Sequence, residues 1–254
     1  MQTDIIRYEK RNAIAYITLN RPEVMNAFNP PMTLRLREIL LDYRDDPDLR
    51  VAILSGAGDR AFSAGQDLKW RDALNQGQAV AAPTDPEFPE VWKPIIAAIN
   101  GYCIAGGLER ALQCDIRIAS ESATFALAEP RFSQTPDYGL YDLVGNLSTG
   151  DALFLLTTGE RIDAREALRM GLVQKVVPQA ELMAAAEQMA ESIKLCAPLV
   201  VSMVKQVVIT NRKIQGAPGR RLAELWRQRV QSSEDAKEGP RAFAEKRPPA
   251  WKGR

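Results

Sequence analysis

The sequence predicts an α/β fold, a repeated β/α core followed by a helical C-terminal part. Three observations carry that prediction. Short apolar runs of strand length alternate with segments of helical spacing as far as residue 178. Only helical spacing follows. The chain is 254 residues long and 46% apolar, enough to bury a sizeable core.

The elements follow in order. Residues 5–9 and 13–19 read as two strands joined by a turn near Asn12. "LNRPEVMNAFNPP" breaks regular structure, and residues 32–44 place Leu34, Ile39 and Leu40 at helical spacing. "RVAILSGAG" (50–58) is a buried strand running into a Gly-rich corner, and "AFSAGQDLK" (61–69) is a second strand end with its own small-residue turn. Pro83, Pro86 and Pro89 mark a loop. Residues 92–99 read as a helix and 102–105 as a strand that enters "IAGGLERALQCD" (104–115). "DIRIASESATFALAEP" is a strand, a turn and a strand. Helical spacing resumes at Thr149, and a short helix over 163–170 begins on an Asp and stops at Gly171. "LVQKVVP" is a last strand, with helices expected over 179–195, 198–213 and 218–237 and a basic tail beyond. The division expected is a core over 1–195 and a helical region over 196–254.

Charge and composition remove several function classes. Lys and Arg number 33 against 32 Asp and Glu, a net charge of +1 that gives no general attraction to nucleic acid or acidic membranes. No apolar run approaches the ~20 residues that span a bilayer. Cys103, Cys114 and Cys196 show no metal or redox spacing and read as reduced thiols of a cytoplasmic protein. The chain has no histidine. Ser-His-Asp and Cys-His catalysis and histidine-ligated zinc are therefore excluded. Carboxylates become the leading groups for acid–base chemistry near neutral pH.

Two corners share one physical theme, small residues that end a strand and leave backbone N–H groups to spare. They are "FSAGQD" around Gly65 and Gln66, and "IAGGLE" around Gly106 and Gly107. Such corners serve as ordinary tight turns. They can also aim two amides at one developing oxyanion. Glu109 follows the second corner in a short, mostly apolar helix, where a buried carboxylate needs a purpose. Glu129 in "FALAEPRF" ends an apolar strand, and Asp137 in "TPDYG" sits in a turn.

These residues resemble those of the enoyl-CoA hydratase/isomerase (crotonase) superfamily over nearly the whole chain. The matching stretches are "ITLNRPEVMNAF", "FSAGQDLK", "INGYCIAGGLERALQCDIRIASESATFALAEPRF", "LTTGERIDAREALRMGLVQKVVP" and "EGPRAFAEKRPPAWKGR". Five segments in order are far more specific than any one. "RDDPDLRVAILSGAG" and the tail are similar to the carnitinyl-CoA dehydratase (crotonobetainyl-CoA hydratase) branch. The resemblance implies a crotonase-like β-β-α spiral whose C-terminal helices build trimers, often paired as hexamers, with Leu222, Leu225 and Trp226 seeking a partner surface. It implies an oxyanion hole from the amides of Gln66 and Gly106, and Glu109 and Glu129 as the two glutamates of a hydratase. An α,β-unsaturated acyl-CoA would be hydrated syn, with coenzyme A entering as part of the substrate and no further cofactor or metal. Coenzyme A would lie across Val24, Ala27, Ala64, Asp67 and Leu68, with Phe243 and Lys246 approaching its nucleotide from a neighbouring subunit.

The chain also departs from the family pattern. "PDYGLYDLVG" replaces a Gly-rich turn, so Asp137, Tyr138, Leu140 and Tyr141 would reshape the acyl pocket, and Ala105 replaces a glycine. Asp137 falls where dienoyl-CoA isomerases carry an aspartate, which leaves double-bond isomerisation by Glu129 and Asp137 as the alternative. A non-catalytic crotonase-fold binding protein is the alternative of another class.

Overall fold

A computed structural model describes residues 4–78, 88–136, 139–196, 198–209, 228, 231–232 and 234–247. Its strands fall into two sheets. The first has six strands in the order β1 (Ile6–Arg11), β2 (Ile14–Leu19), β3 (Val51–Gly56), β5 (Ile95–Ile99), β7 (Ile116–Ser120) and β10 (Lys175–Val177). The second has the order β4 (Ala61–Ser63), β6 (Tyr102–Ile104), β8 (Thr124–Ala126) and β9 (Ile162–Asp163). β1–β2 and β8–β9 pair antiparallel, and every other pairing is parallel.

The chain winds as a spiral. β3 is followed by β4, β5 by β6 and β7 by β8, so each turn adds one parallel strand to each sheet. After the second strand of each turn comes a helix: α2 (Leu68–Asn75), α3 (Gly106–Leu112) or α4 (Gly139–Asn146). This is the β-β-α spiral implied by the motifs.

Local chemistry sets the element ends. Asn12 and Ala13 both adopt positive φ, which turns β1 tightly into β2. Asn29 caps α1 (Pro30–Asp45) by accepting from the Met32 N–H, with prolines in the first turn where no N–H is needed. After α5 (Thr149–Thr158), Asp163 caps α6 (Ala164–Arg169) by accepting from the Glu166 N–H at 2.7 Å, and Gly171 follows at φ 78°. The Asp start and Gly stop read from the sequence hold.

Residues 92–99 depart from the expected helix. Ile95–Ile99 form a central parallel strand, buried throughout. Ile95, Ala97 and Ile99 face the main core, between the sheets and α1, with Leu36, Leu40, Phe62, Phe125 and Leu108. Ile96 and Ala98 face a second cluster, where Leu182, Ala186 and Ala190 of α7 (Leu182–Lys194) cover the outer side of the sheet. A strand buried on both faces shows no polar alternation, so its sequence cannot be told from a buried helix by period alone.

The C-terminal part is helical where described: α8 (Pro198–Ile209) and α9 (Asp235–Ala244). Leu222, Leu225 and Trp226 lie outside the described residues. Among the described residues, no single helix is long and apolar enough to cross a membrane.

Candidate active site

Three neighbouring parallel strands, β4, β6 and β8, end at one edge of the second sheet. Carboxyl ends of parallel strands are where α/β folds gather reactive groups, because chain reversals there leave backbone dipoles pointing outward. Beyond β4 come Gly65 and Gln66; beyond β6, Gly106, Gly107 and Glu109; beyond β8, Glu129. The Ala105 N–H donates to the Ala126 carbonyl at 2.8 Å, tying the second corner to the end of β8.

The first two corners touch. A Cβ on Gly65 would stand 2.9 Å from the Ala105 Cβ and 3.1 Å from the Gly106 nitrogen, so only glycine fits at 65, where φ is also +90°. A Cβ on Gly107 would strike the Ser63 carbonyl oxygen at 2.3 Å. The Gln66 nitrogen lies 3.8 Å from the point where a Gly106 Cβ would sit. The amides of Gln66 and Gly106 are thus brought side by side, and among the described residues neither donates to a protein acceptor. Two adjacent, uncommitted N–H groups form a pocket for one anionic oxygen. Ala105 completes the corner at φ 53° and ψ −130°, a conformation that favours glycine.

A buried network fixes this arrangement. Asn26, fully buried at φ 54°, donates through Nδ2 to the carbonyls of Ala57 (3.1 Å) and Ala61 (2.8 Å), and its Oδ1 accepts from the Arg21 N–H. The Ser63 hydroxyl donates to the Asn26 carbonyl and accepts from the Gly65 N–H at 3.1 Å. Arg21 pairs with Asp67 at 2.9 Å and donates to the Ala27 carbonyl. Asp67 also caps α2 by accepting from the Trp70 N–H.

Glu109 is buried, with 9% of its surface exposed, one helical turn past Ala105. Its Oε1 accepts from the Gly139 N–H at the start of α4, at 3.1 Å. Its Oε2 lies 3.9 Å from the point where a Gly106 Cβ would stand, beside the paired amides. Glu129 opens a 3-10 turn (Glu129–Phe132) and is half-buried, with Oε2 shielded from solvent.

The structure groups the other sequence-predicted residues in two places. Val24, Ala27, Ala64, Asp67 and Leu68 gather at the first corner, joined by Ala64 N–H to Met25 carbonyl and Asp67 N–H to Phe28 carbonyl bonds. Phe243 and Lys246 lie on and just past α9, where Phe243 packs edge-on against Phe132 at 5.7 Å. That contact ties α9 to the 3-10 turn within the chain. Asp137 and Tyr138 lie outside the described residues.

Sequence reasoning passed over Asn26, Arg21 and Ser63, although all three stand inside motifs it quoted. It also missed Gly139, the glycine left in "PDYGLY". Arg71 of α2 was missed as well; it donates to the side-chain oxygens of Gln66 (3.2 Å) and Gln134 (3.3 Å).

Comparison with known proteins agrees with this architecture. The enoyl-CoA hydratase/isomerase family model matches residues 9–254. The (E)-benzylidenesuccinyl-CoA hydratase of Thauera aromatica is 42% identical over 253 residues, covering 98% of this chain and 99% of that protein. The carnitinyl-CoA dehydratase of Citrobacter koseri is 39% identical over 264 residues, covering 99% and 100%. Among solved structures, a carnitinyl-CoA hydratase from Mycobacterium avium superposes with a TM-score of 0.88 at 36% identity, over 98% of each chain. An enoyl-CoA hydratase from Mycobacterium tuberculosis H37Rv gives 0.82 at 35%, over 91% of this chain and all of that one. With full-length likeness in sequence and in fold, the chain belongs to the enoyl-CoA hydratase/isomerase family.

Proposed function

We propose that this protein is an acyl-CoA hydratase/dehydratase that adds water syn across an α,β-unsaturated thioester and, in reverse, removes it. The observation that carries the reading is the convergence of three parallel strand ends, which supply two paired amides and two glutamates at one edge. The amides of Gln66 and Gly106 receive the thioester oxygen as it gains negative charge, each worth roughly 3–4 kcal/mol of barrier. Glu109 takes a proton from water as the water oxygen bonds to the β carbon. Glu129 delivers a proton to the α carbon, and exchange with solvent restores both groups. The Gly139 N–H holds Glu109 by Oε1 and leaves Oε2 toward the amides, which supports a fixed water position. Both carboxylates act on one addition, so they titrate and function as a pair.

Coenzyme A runs along Val24, Ala27, Ala64, Asp67 and Leu68, with Phe243 and Lys246 on the nucleotide side, and the reaction uses no cofactor beyond it. The protein works in the cytoplasm as a homotrimer or a pair of trimers, built on a core over 1–195 and a helical region over 196–254. The apolar face of α8 supports assembly: Leu199, Met203, Val204 and Val208 are exposed, Leu199 by 85%. A strictly monomeric species in light scattering at micromolar concentration contradicts the assembly.

The activity is tested by incubating the protein with a set of 2-enoyl-CoA thioesters, crotonyl-CoA first, and following loss of the conjugated absorbance. Hydration of at least one is expected. Stable absorbance throughout the set overturns the reading.

A further inference from the structure

A cleft of about 700 Å3 lies between α2, the segment after Glu129 and α9. Arg71, a half-buried residue of α2, lines it. One guanidinium nitrogen donates to the side-chain oxygen of Gln66, whose own backbone amide is one of the paired donors. Another donates to the side-chain oxygen of Gln134, whose backbone N–H is bound to the Glu129 carbonyl at 3.0 Å. Arg71 thus spans the gap between the thioester-oxygen pocket and the Glu129 turn.

Its partners leave its charge unanswered. Both acceptors are neutral amides, and among the described residues no carboxylate forms an ion pair with Arg71. Of the other charges that line the cleft, Glu245 pairs with Arg247 and Arg241 with Glu238, Asp72 accepts from the neutral amide of Gln76, and Lys237 adds a second cation. A guanidinium has five N–H donors in a planar fork that fits a carboxylate through two parallel bonds. A half-buried guanidinium bonded only to neutral amides can still take an anionic ligand group.

We infer that Arg71 selects an acyl group carrying its own carboxylate, so that the substrate is the coenzyme A thioester of a dicarboxylic acid. This rests on the acyl-CoA reading above. The position of Arg71 favours the acyl end over the phosphates of coenzyme A, because its second partner, Gln134, is tied to the turn of Glu129, the group that serves the α carbon of the acyl chain in that reading. Arg71 is a specificity residue and takes no part in the proton transfers.

Binding of saturated thioesters tests this apart from turnover. Titration calorimetry compares succinyl-CoA, glutaryl-CoA and butyryl-CoA on the parent protein, Arg71→Met and Arg71→Lys. The parent is expected to bind succinyl- or glutaryl-CoA more tightly than butyryl-CoA. Arg71→Met should remove that preference, a loss of about ten- to hundredfold confined to the carboxylated ligand, and Arg71→Lys should restore part of it. Equal weakening of all three thioesters would assign Arg71 to a phosphate or to packing and overturn the inference. So would a parent that binds butyryl-CoA as tightly as the other two, or none of them. Failure of the hydratase reading shows separately, as an absence of turnover with intact thioester binding.

Discussion

The floor and the roof of the site are built by opposite rules. The floor consists of the ends of β4, β6 and β8, where backbone amides carry the proposed function and a buried network of Asn26, Ser63, Arg21 and Asp67 holds them. Side chains there serve to fix amide positions to within tenths of an ångström, as the contacts of Gly65 and Gly107 demand. The roof consists of α2, the turn after Glu129 and α9, where side chains carry the contacts and several of them reach solvent. Its bonds run between charged and amide side chains that can be exchanged without moving the backbone. In the proposed reading, chemistry common to many thioesters belongs to the floor and the choice of acyl group to the roof.

The sharpest way to break this contrast is Asn26→Ala. It strands the Ala61 carbonyl and the Arg21 N–H and places an alanine at a φ of 54°. A stability loss of about 3 kcal/mol or more is expected, read as the denaturant midpoint, with turnover lost in the fraction that remains folded. A loss under about 1 kcal/mol would mean that the corner holds itself. In the roof, Gln134→Ala removes only the 3.3 Å bond from Arg71 and should move stability by less than about 0.5 kcal/mol.

A milder change runs the other way. Ala105 holds a conformation that glycine adopts without strain, so Ala105→Gly should stabilise the fold by about 1 kcal/mol. At this chain length that raises Tm by about 2–4 °C. A lower Tm would show that the alanine methyl packs for more than its backbone costs. Gly106→Pro is a poor probe of the same corner: proline would force Ala105 out of its positive φ, mixing loss of a donor with loss of the turn.

The smallest effect concerns thiols. Burial pushes Cys114 up to about 12 and Cys103 well above the usual thiol range, whereas Cys196 is exposed. Native protein should react with a disulfide reagent at one site, Cys196, and at three after unfolding. Fast labelling of a second thiol would show that the core opens.

What the sequence revealed follows the same division. Gly65, Gln66, Gly106, Glu109 and Glu129 were legible because strand ends with small residues have few alternatives, and because five motifs in order specify one spiral. The strand at 95–99 was not, since burial on both faces erases its period. Asn26 was overlooked because an asparagine in a turn has many ordinary uses, and its three bonds reach residues up to 35 positions away. Arg71 gave no signal at all: a lone cation on a short helix acquires meaning only when Gln66 and Gln134 come to stand on either side. The contact of Phe243 with Phe132 depends on how the tail returns, which no local pattern records.

The central claim is that Glu109 and Glu129 work as one unit at a shared edge. Its direct test is the kcat for hydration, measured on the best enoyl-CoA substrate for the parent, Glu109→Gln, Glu129→Gln and the double variant. Each single change should lower kcat by about 10²–10⁴, and the double variant should fall no more than about tenfold further, because one addition needs both groups. Two losses that multiply in the double variant, or a single variant that turns over at the parent rate, would contradict it.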